Sequence, residues 1–385
     1  YGDQVVSQPV LPGLSVQTRV GAERSDGIHI QRLEAGGYEV EVVGRREVRF
    51  GVALKAFNES LGLSADAARS SGRGLRFHFQ DRATCESMVR SLGRGTGIDL
   101  LAWRGARVDQ LEQAGLSGRL EASIDLGMSD AIASARAAVS AEAGVTREVR
   151  HSGPREDEIV TRHVALIAEA HAAAAMGRVA GDVERGLDRT VTRHVIRQQG
   201  LLQEGSRAVF RARVVDGRVP QTLGGLMPGL SPRATEVLAE RIGEVDAQGE
   251  LLLQCRLTPA ATGEANAYLR RARQALTDAA LTVDPARREA ARQQAREAAV
   301  AAEAVLQKGS SYAIEGLYLR RQSAARAEAS RAVFKNFATS EDESVRSIDL
   351  SVAEGGMPLE AGRPLPASYD RWLALAPATA PALAS

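Results

Sequence analysis

The sequence predicts an α+β protein: long antiparallel β-strands with flanking strand-helix units and one Ala/Arg-rich helix. Three observations carry this. Residues 155–215 read largely in steps of two: Val160, Val164, Leu166, Ala168 and Ala170 share one parity, and Ile159, Thr161, His163 and Ile167 the other. Such alternation is expected of half-buried strands. The pentapeptide Val-Thr-Arg-His-Val at 160–164 returns at 191–195, either as two segments doing similar work or by chance in a chain rich in Arg, Ala and Val. Two further stretches place an apolar strand directly before a capped helix.

In chain order, residues 1–25 are polar with Pro9 and Pro12 and read as a leader or linker. Residues 26–115 form the next unit. Tyr38, Val40 and Val42 alternate with Glu39 and Glu41, and Val48, Phe50, Val52, Leu54 and Ala56 continue after Gly44-Arg45-Arg46. This predicts a hairpin turning at 44–46. Residues 58–74 are small and polar. Leu75, Phe77 and Phe79 then make one face of a strand, and Asp81 caps a helix through Cys85, Met88, Val89 and Leu92 to Gly93. Residues 98–114 look helical, with Leu100, Leu101, Trp103, Val108 and Leu111.

Residues 116–220 form an alternating-strand region. Leu120, Ala122, Ile124 and Leu126 alternate, and apolar residues at odd positions run from Ala131 to Val145. Two readings compete over 131–145. Alanine is the best helix former and Ser129 is a suitable cap; the period of two, continuing to Val149, favours a strand. Over 159–170 a helix through Ile159, His163, Leu166 and Ala170 competes with a strand. The separators from Met176 to Gly186 and from Gly200 to Gly205 are long for tight hairpins. Ala208, Phe210, Ala212 and Val214 alternate cleanly with Arg207, Arg211 and Arg213.

Residues 221–310 hold the second strand-helix unit and the long helix. Gly224, Gly225, Pro228 and Gly229 read as a loop, and Ser231-Pro232 opens a helix with Val237, Leu238, Ile242 and Val245 inward. Leu251, Leu253 and Cys255 form a strand, and Thr258-Pro259 starts a helix bearing Ala265, Tyr268, Leu269 and Ala272. Asp284-Pro285 opens the helix 285–307, whose stripe of Ala291, Ala295, Ala298, Ala302, Val305 and Leu306 is so thin that it must lie on a surface or pack closely through alanine. Residues 311–355 give terminal strands around Tyr312, Ile314 and Tyr318 and around Arg346, Ile348, Leu350 and Val352. Residues 356–385 are a Pro/Ala-rich tail expected to be poorly ordered, with a short docking element at Tyr369 to Leu375 around Trp372.

The totals narrow the function. With 385 residues, two or three domains are expected. A net charge of +1 argues against bulk polyanion binding, so no nucleic-acid partner is expected. Two cysteines, Cys85 and Cys255, allow one disulfide but no stapled framework or closed zinc site. No apolar run reaches the length of a membrane-spanning helix. Tyr1 stands where an initiator Met or signal peptide is absent, which favours a piece of something larger.

No catalytic constellation emerges. The six histidines are His29, His78, His151, His163, His171 and His194, with no His-x-x-x-His pair, so no metal is expected. His163 and His194 hold the same place in the repeated pentapeptide. If the two segments are neighbours, these imidazoles form a pair that repels when charged and responds to pH near about 6. The Gly-x-Ser-x-Gly elbow is missing, and Arg94-Gly95-Thr96-Gly97 is only a turn. Cys85, early in a helix, has the position for a lowered pKa but the neighbours of a core residue. Glu156 and Glu158 read as surface carboxylates. No cofactor is expected. Membrane-crossing hairpins need about 10 residues with one lipid-compatible face; residues 131–145 have the length, with Arg136 and Glu142 then requiring a wet lumen. A soluble sheet is the favoured alternative.

The succession of Tyr38 to Ala56, Leu75-Arg76-Phe77-His78-Phe79 with Asp81 to Leu92, and Leu251 to Leu269 with Thr258-Pro259 resembles the middle regions of large actinobacterial polymorphic toxins carrying WXG-type export domains. The pattern covers about residues 30–355. Trp103-Arg104-Gly105 matches the letters of that family's Trp-x-Gly turn without its helical-hairpin context. The resemblance implies a secreted or cell-surface, non-enzymatic scaffold or translocation segment, whose partners are other domains of a larger polypeptide or the secretion machinery. An amphipathic β protein that binds lipid or forms a pore is the alternative, and an enzyme with a concealed site the third.

Overall fold

The computed structural model describes residues 4–11, 14–33, 36–56, 61–93, 107–127, 133–174, 179–215, 219–226, 231–242, 248–321, 345–348, 353–354, 357–358 and 362–374. A 13-stranded antiparallel sheet dominates it. β1 (Gln4–Leu11) lies at one edge. Seven long strands follow in chain order: β2 (Leu14–Arg32), β3 (Tyr38–Ala56), β4 (Leu61–Phe79), β5 (Arg107–Gly127), β6 (Ala133–Ser152), β7 (Arg155–Ala174) and β8 (Val179–Gln198). Each is 19–21 residues long, well beyond the usual strand of about 5–6. The short β9 (Leu201–Leu202) folds back on the end of β8. The sheet then continues through β10 (Arg207–Val215), β11 (Gln248–Leu257), β12 (Tyr312–Arg321) and β13 (Val345–Ile348).

The ladders settle both open assignments: 133–145 and 159–170 are strand, because each has an antiparallel partner on either side. The repeat acquires a geometric meaning. Its two copies lie on adjacent strands with Thr161 opposite Thr192, Val160 opposite Arg193 and Arg162 opposite Val191, so a local two-fold passes through the Thr pair. Their hydroxyls are 3.3 Å apart.

Several expectations are corrected. Most of the supposed leader is strand, in β1 and β2. No turn occurs at Gly44-Arg45-Arg46; β3 runs straight through, paired with Asp26 to Arg24 on one side and Arg73 to Ser71 on the other. The small polar stretch is largely β4 from Leu61 onward. Residues 107–114 belong to β5 rather than a helix, while 98–106 lie outside the described residues. In all these places local composition is outweighed by a backbone ladder that neighbours supply on both sides. Gly224 and Gly225 sit in a helix, α2 (Val219–Leu226), not a loop.

The strand-helix units stand as expected. The first helix, α1 (Arg82–Gly93), is capped by Asp81, whose carboxylate accepts from the Thr84 N–H at 2.8 Å and from its hydroxyl at 2.7 Å. After α2, Ser231 caps α3 (Pro232–Ile242). Thr258 caps α4 (Pro259–Leu281) and Asp284 caps α5 (Pro285–Leu306). The last two make a hairpin of alanine-lined helices, burying Ala272, Ala275, Ala279, Ala295 and Ala302. Near the C-terminus, a bridge between Ala313 and Pro364 lays the chain against β12, and α6 (Asp370–Leu373) puts Tyr369 and Leu373 into the core. This is the expected docking element. Val245, Leu350 and Val352 lie outside the described residues.

Following parity through the ladders puts every helix with core contacts on the same face of the sheet. α1 covers Val40 and Phe77, and the C-terminal helices cover Val191, Val195, Phe210, Leu253 and Leu317. Both helical layers sit at the end of the long strands nearest residues 38–42, 75–79 and 191–198. The opposite halves of β2–β7 rise beyond them. Cys85 and Cys255 are buried free thiols in two separate cores, so they make no disulfide. Burial raises the pKa of both, which removes the reactive-helix reading of Cys85.

Candidate functional site

Register places residues of β2 to β7 in rows across the helix-bearing face of these free halves. One row is Val16, Leu54, Leu63, Ala122, Val139 and Ala168; the next is Thr18, Val52, Ala65, Leu120, Ala141 and Leu166; the third is Val20, Phe50, Ala67, Gly118, Ala143 and Val164. None of these residues is charged. Val20, Phe50, Leu63, Leu120, Val139 and Leu166 are each 48–57% exposed. A single exposed Leu is ordinary, but three adjoining rows form a contiguous apolar patch of the size that marks an interaction surface.

The patch has a sharp lower border. The next row, Ala22, Val48, Arg69, Leu116, Val145 and Arg162, brings two arginines, and the one below it brings Arg24, Arg46 and Arg147. From Phe50, in the first row above this border, to the end of β3 at Ala56 is seven residues, against the about 9–11 that a tilted strand needs to cross a bilayer core.

The reverse face of the same strands carries charged and small residues. One row reads Arg19, Gly51, Asp66, Arg119, Glu142, Ala165 and Asp188. Charges on this face pair along and across strands: Arg119 with Glu121 at 3.2 Å in β5, Arg49 with Glu47 at 2.5 Å in β3, and Arg49 with Glu23 of β2 at 3.2 Å. At Gly51 an added Cβ would lie 2.2 Å from Asp66 Oδ1, so glycine is what lets this carboxylate fold over the neighbouring strand. Nearer the base, Arg76 bridges Glu39 at 3.1 Å and Glu41 at 2.5 Å, and His78 meets Asp109 at 2.9 Å. Glu142 lies on this polar face, and Arg136 pairs with Asp125 and His171 in the ladder.

The helical base is anchored by arginines from β7 and β8. Arg193, 2% exposed, reaches Glu303 at 2.5 Å and the carbonyls of Leu306 and Leu373. Arg189 lies over the rings of Trp372, Tyr369 and Phe210 at 4.0, 5.3 and 5.6 Å. Arg162 donates to the carbonyls of Arg371 and Ala374. Glu158 is not a surface carboxylate: it is 3% exposed between Arg147 at 2.6 Å and Arg197 at 2.7 Å. Burial alone would raise its pKa, but the Arg197 and Arg147 guanidiniums outweigh that and hold it at about 2.

The proposed histidine pair is not brought together. His163 lies opposite Thr190 and His194 opposite Ile159, so they are offset by four residues, about 13 Å along the strand. A two-fold through Thr161 and Thr192 separates equivalent residues in proportion to their distance from it. Each imidazole has a carboxylate instead. His163 lies 3.0 Å from Asp188, and this hydrogen bond raises its pKa against the opposing effect of burial; His194 lies 3.7 Å from Asp157.

No family model, curated protein or solved structure matches this chain. Among the described residues no group of His, Cys, Asp or Glu has the arrangement of a metal site, and no helix is long and apolar enough to cross a membrane; the second fact does not bear on strands. The apolar rows were partly visible as period-two runs at 48–56, 120–126 and 131–145. What sequence reasoning missed is that β4, read as small and polar, places Leu63, Ala65 and Ala67 in the same rows.

Proposed function

We propose that this chain is the membrane-facing, non-enzymatic part of a larger secreted or cell-surface protein, and that its amphipathic hairpins bind or cross a lipid bilayer with the polar face turned to water. One observation carries the reading: three uninterrupted uncharged rows on one face of six strands, backed by a charged face and bordered by arginines. Apolar-out, polar-in alternation is the pattern of strands that face lipid. Arginine at the border suits the headgroup level, where its charge stays hydrated while its stem lies on apolar surface.

Dye release tests it. The full chain, added to vesicles of mixed phosphatidylcholine and phosphatidylglycerol, is expected to release an entrapped dye while its circular dichroism stays strand-rich. An arginine at the centre of the patch, as in Leu120→Arg, costs about 2–4 kcal/mol in lipid and should lower release at least tenfold. Ser140→Arg, on the polar face of the neighbouring strand, should leave it nearly unchanged. Equal loss in both variants sinks the reading.

A scaffold or translocation segment is the second reading. It is favoured by the alanines in the rows, Ala65, Ala67, Ala122, Ala141, Ala143 and Ala168, which suit close packing against another protein layer. Under that reading no vesicle leaks, and the patch is covered by another domain of the larger polypeptide.

A further inference from the structure

We infer that the sheet is completed by other copies of the same chain, with β1 of one copy pairing along the free upper half of β8 of the next to form a closed ring of hairpins. The inference rests on the membrane reading and adds to it the identity of the partner. Among the described residues the sheet ends at β1 on one side. On the other, β10 pairs with β8 only from Arg189 to His194 and β9 only at Arg197 and Gln198, which leaves 179–188 without an outer neighbour. These two open edges stand at the same height, because Gln8 pairs with Val16 and that row runs across to Arg185. They are also similar in length, eight residues in β1 against ten at 179–188.

Strand count makes the join geometrically regular. β1 to β8 are eight strands in alternating directions, so β8 of one copy meets β1 of the next antiparallel, and any number of copies keeps an even, fully antiparallel ring. An odd number would force a parallel pair at every seam. Physical need points the same way: an open ladder edge inside a bilayer leaves backbone groups without hydrogen bonds at several kcal/mol each, so spanning sheets close. Composition agrees. The inner strands carry no charge in the three rows, whereas the ladder continues those rows to Gln4 and Gln8 of β1 and to Arg185 of β8. Within the three rows, charged residues are thus confined to β8, one of the two strands that would meet. Pro9 removes one donor near the end of β1, so the seam falls on Gln4–Gln8.

Mixed cross-linking on vesicles tests the seam. Chains carrying Val6→Cys are mixed with chains carrying Val183→Cys, Arg185→Cys or Leu187→Cys, all on one face by register; the native thiols are buried and the parent chain is the control. A disulfide-linked dimer in at least one mixture, at least tenfold above the control, is the expected result. Dye release that persists while no mixture gives a dimer overturns the seam and leaves the membrane reading standing. A single chain bearing Val6→Cys and Leu187→Cys that links internally, as a monomer, means closure within one copy and also overturns it. If the parent chain releases no dye, the membrane reading falls; the same mixtures in solution then decide the seam, a dimer keeping it and none rejecting it.

Discussion

The two ends of the long strands use one pattern for opposite purposes. At the base, Val191, Val195 and Phe210 alternate with polar residues and are wholly covered by helices. In the free halves, Phe50, Leu120 and Leu166 alternate in the same way and are about half exposed, with no helix over them among the described residues. Alternation therefore establishes that one face is apolar and says nothing about what covers it. The base also spends arginine on its own interior, through Arg189 and Arg193, whereas in the free halves arginine marks the rim of the patch at Arg24, Arg46 and Arg69.

The comparison breaks most sharply on phenylalanine. Phe210→Ala, in the base, should lower unfolding free energy by about 3–5 kcal/mol. Phe50→Ala, in the free half, should lower it by only about 1 kcal/mol in solution, because about half of the side chain is already exposed. Urea midpoints of both variants measure the difference, and a similar loss at Phe50 would mean that something already covers the patch.

Next in size is the buried ion cluster. Glu158→Ala removes the carboxylate that Arg147 pairs with, leaves Arg197 with Glu156 at 2.6 Å, and should cost about 3 kcal/mol. Its pH dependence has a definite sign. A carboxylate held at about 2 when folded contributes stability that is complete above the ordinary glutamate value of about 4.3 and is lost as pH falls from there through about 2. Acid titration of the parent should show this loss and the Glu158→Ala variant should not. Smaller still, Thr258→Ala removes the α4 cap, whose hydroxyl accepts from the Ala261 N–H, and should cost about 1 kcal/mol at the base without touching dye release.

The smallest effect belongs to the polar face of the free half. The His163 pKa is raised by Asp188, so its contribution is complete below about 6.5 and is lost as pH rises through the folded value. His163→Gln should flatten this alkaline-side decline, as read from thermal midpoints between about pH 6 and 8. A decline of unchanged size in the variant would assign it to another group.

Much of this protein was determined by sequence alone. The cap residues Asp81, Ser231, Thr258 and Asp284 announced four helices, because a short polar side chain before a Pro or an apolar run satisfies the first free N–H groups locally. Period two announced β10 and left β7 open between strand and helix, and the isolated Trp372 segment announced a docking element. Tertiary structure decided the rest. Gly44-Arg45-Arg46 has the composition of a turn, yet it is mid-strand because β2 and β4 supply hydrogen bonds on both sides. Glu158 looks like any surface carboxylate until ladders bring Arg147 and Arg197 beside it from two other strands. His163 and His194 share a motif but not a neighbourhood, since an antiparallel register mirrors the two copies about Thr161 and Thr192. Parity along one strand is a property of the chain. Which strands share a row, and hence whether scattered Val, Leu and Ala residues add up to one surface, is a property of register, which forms only when distant segments pair.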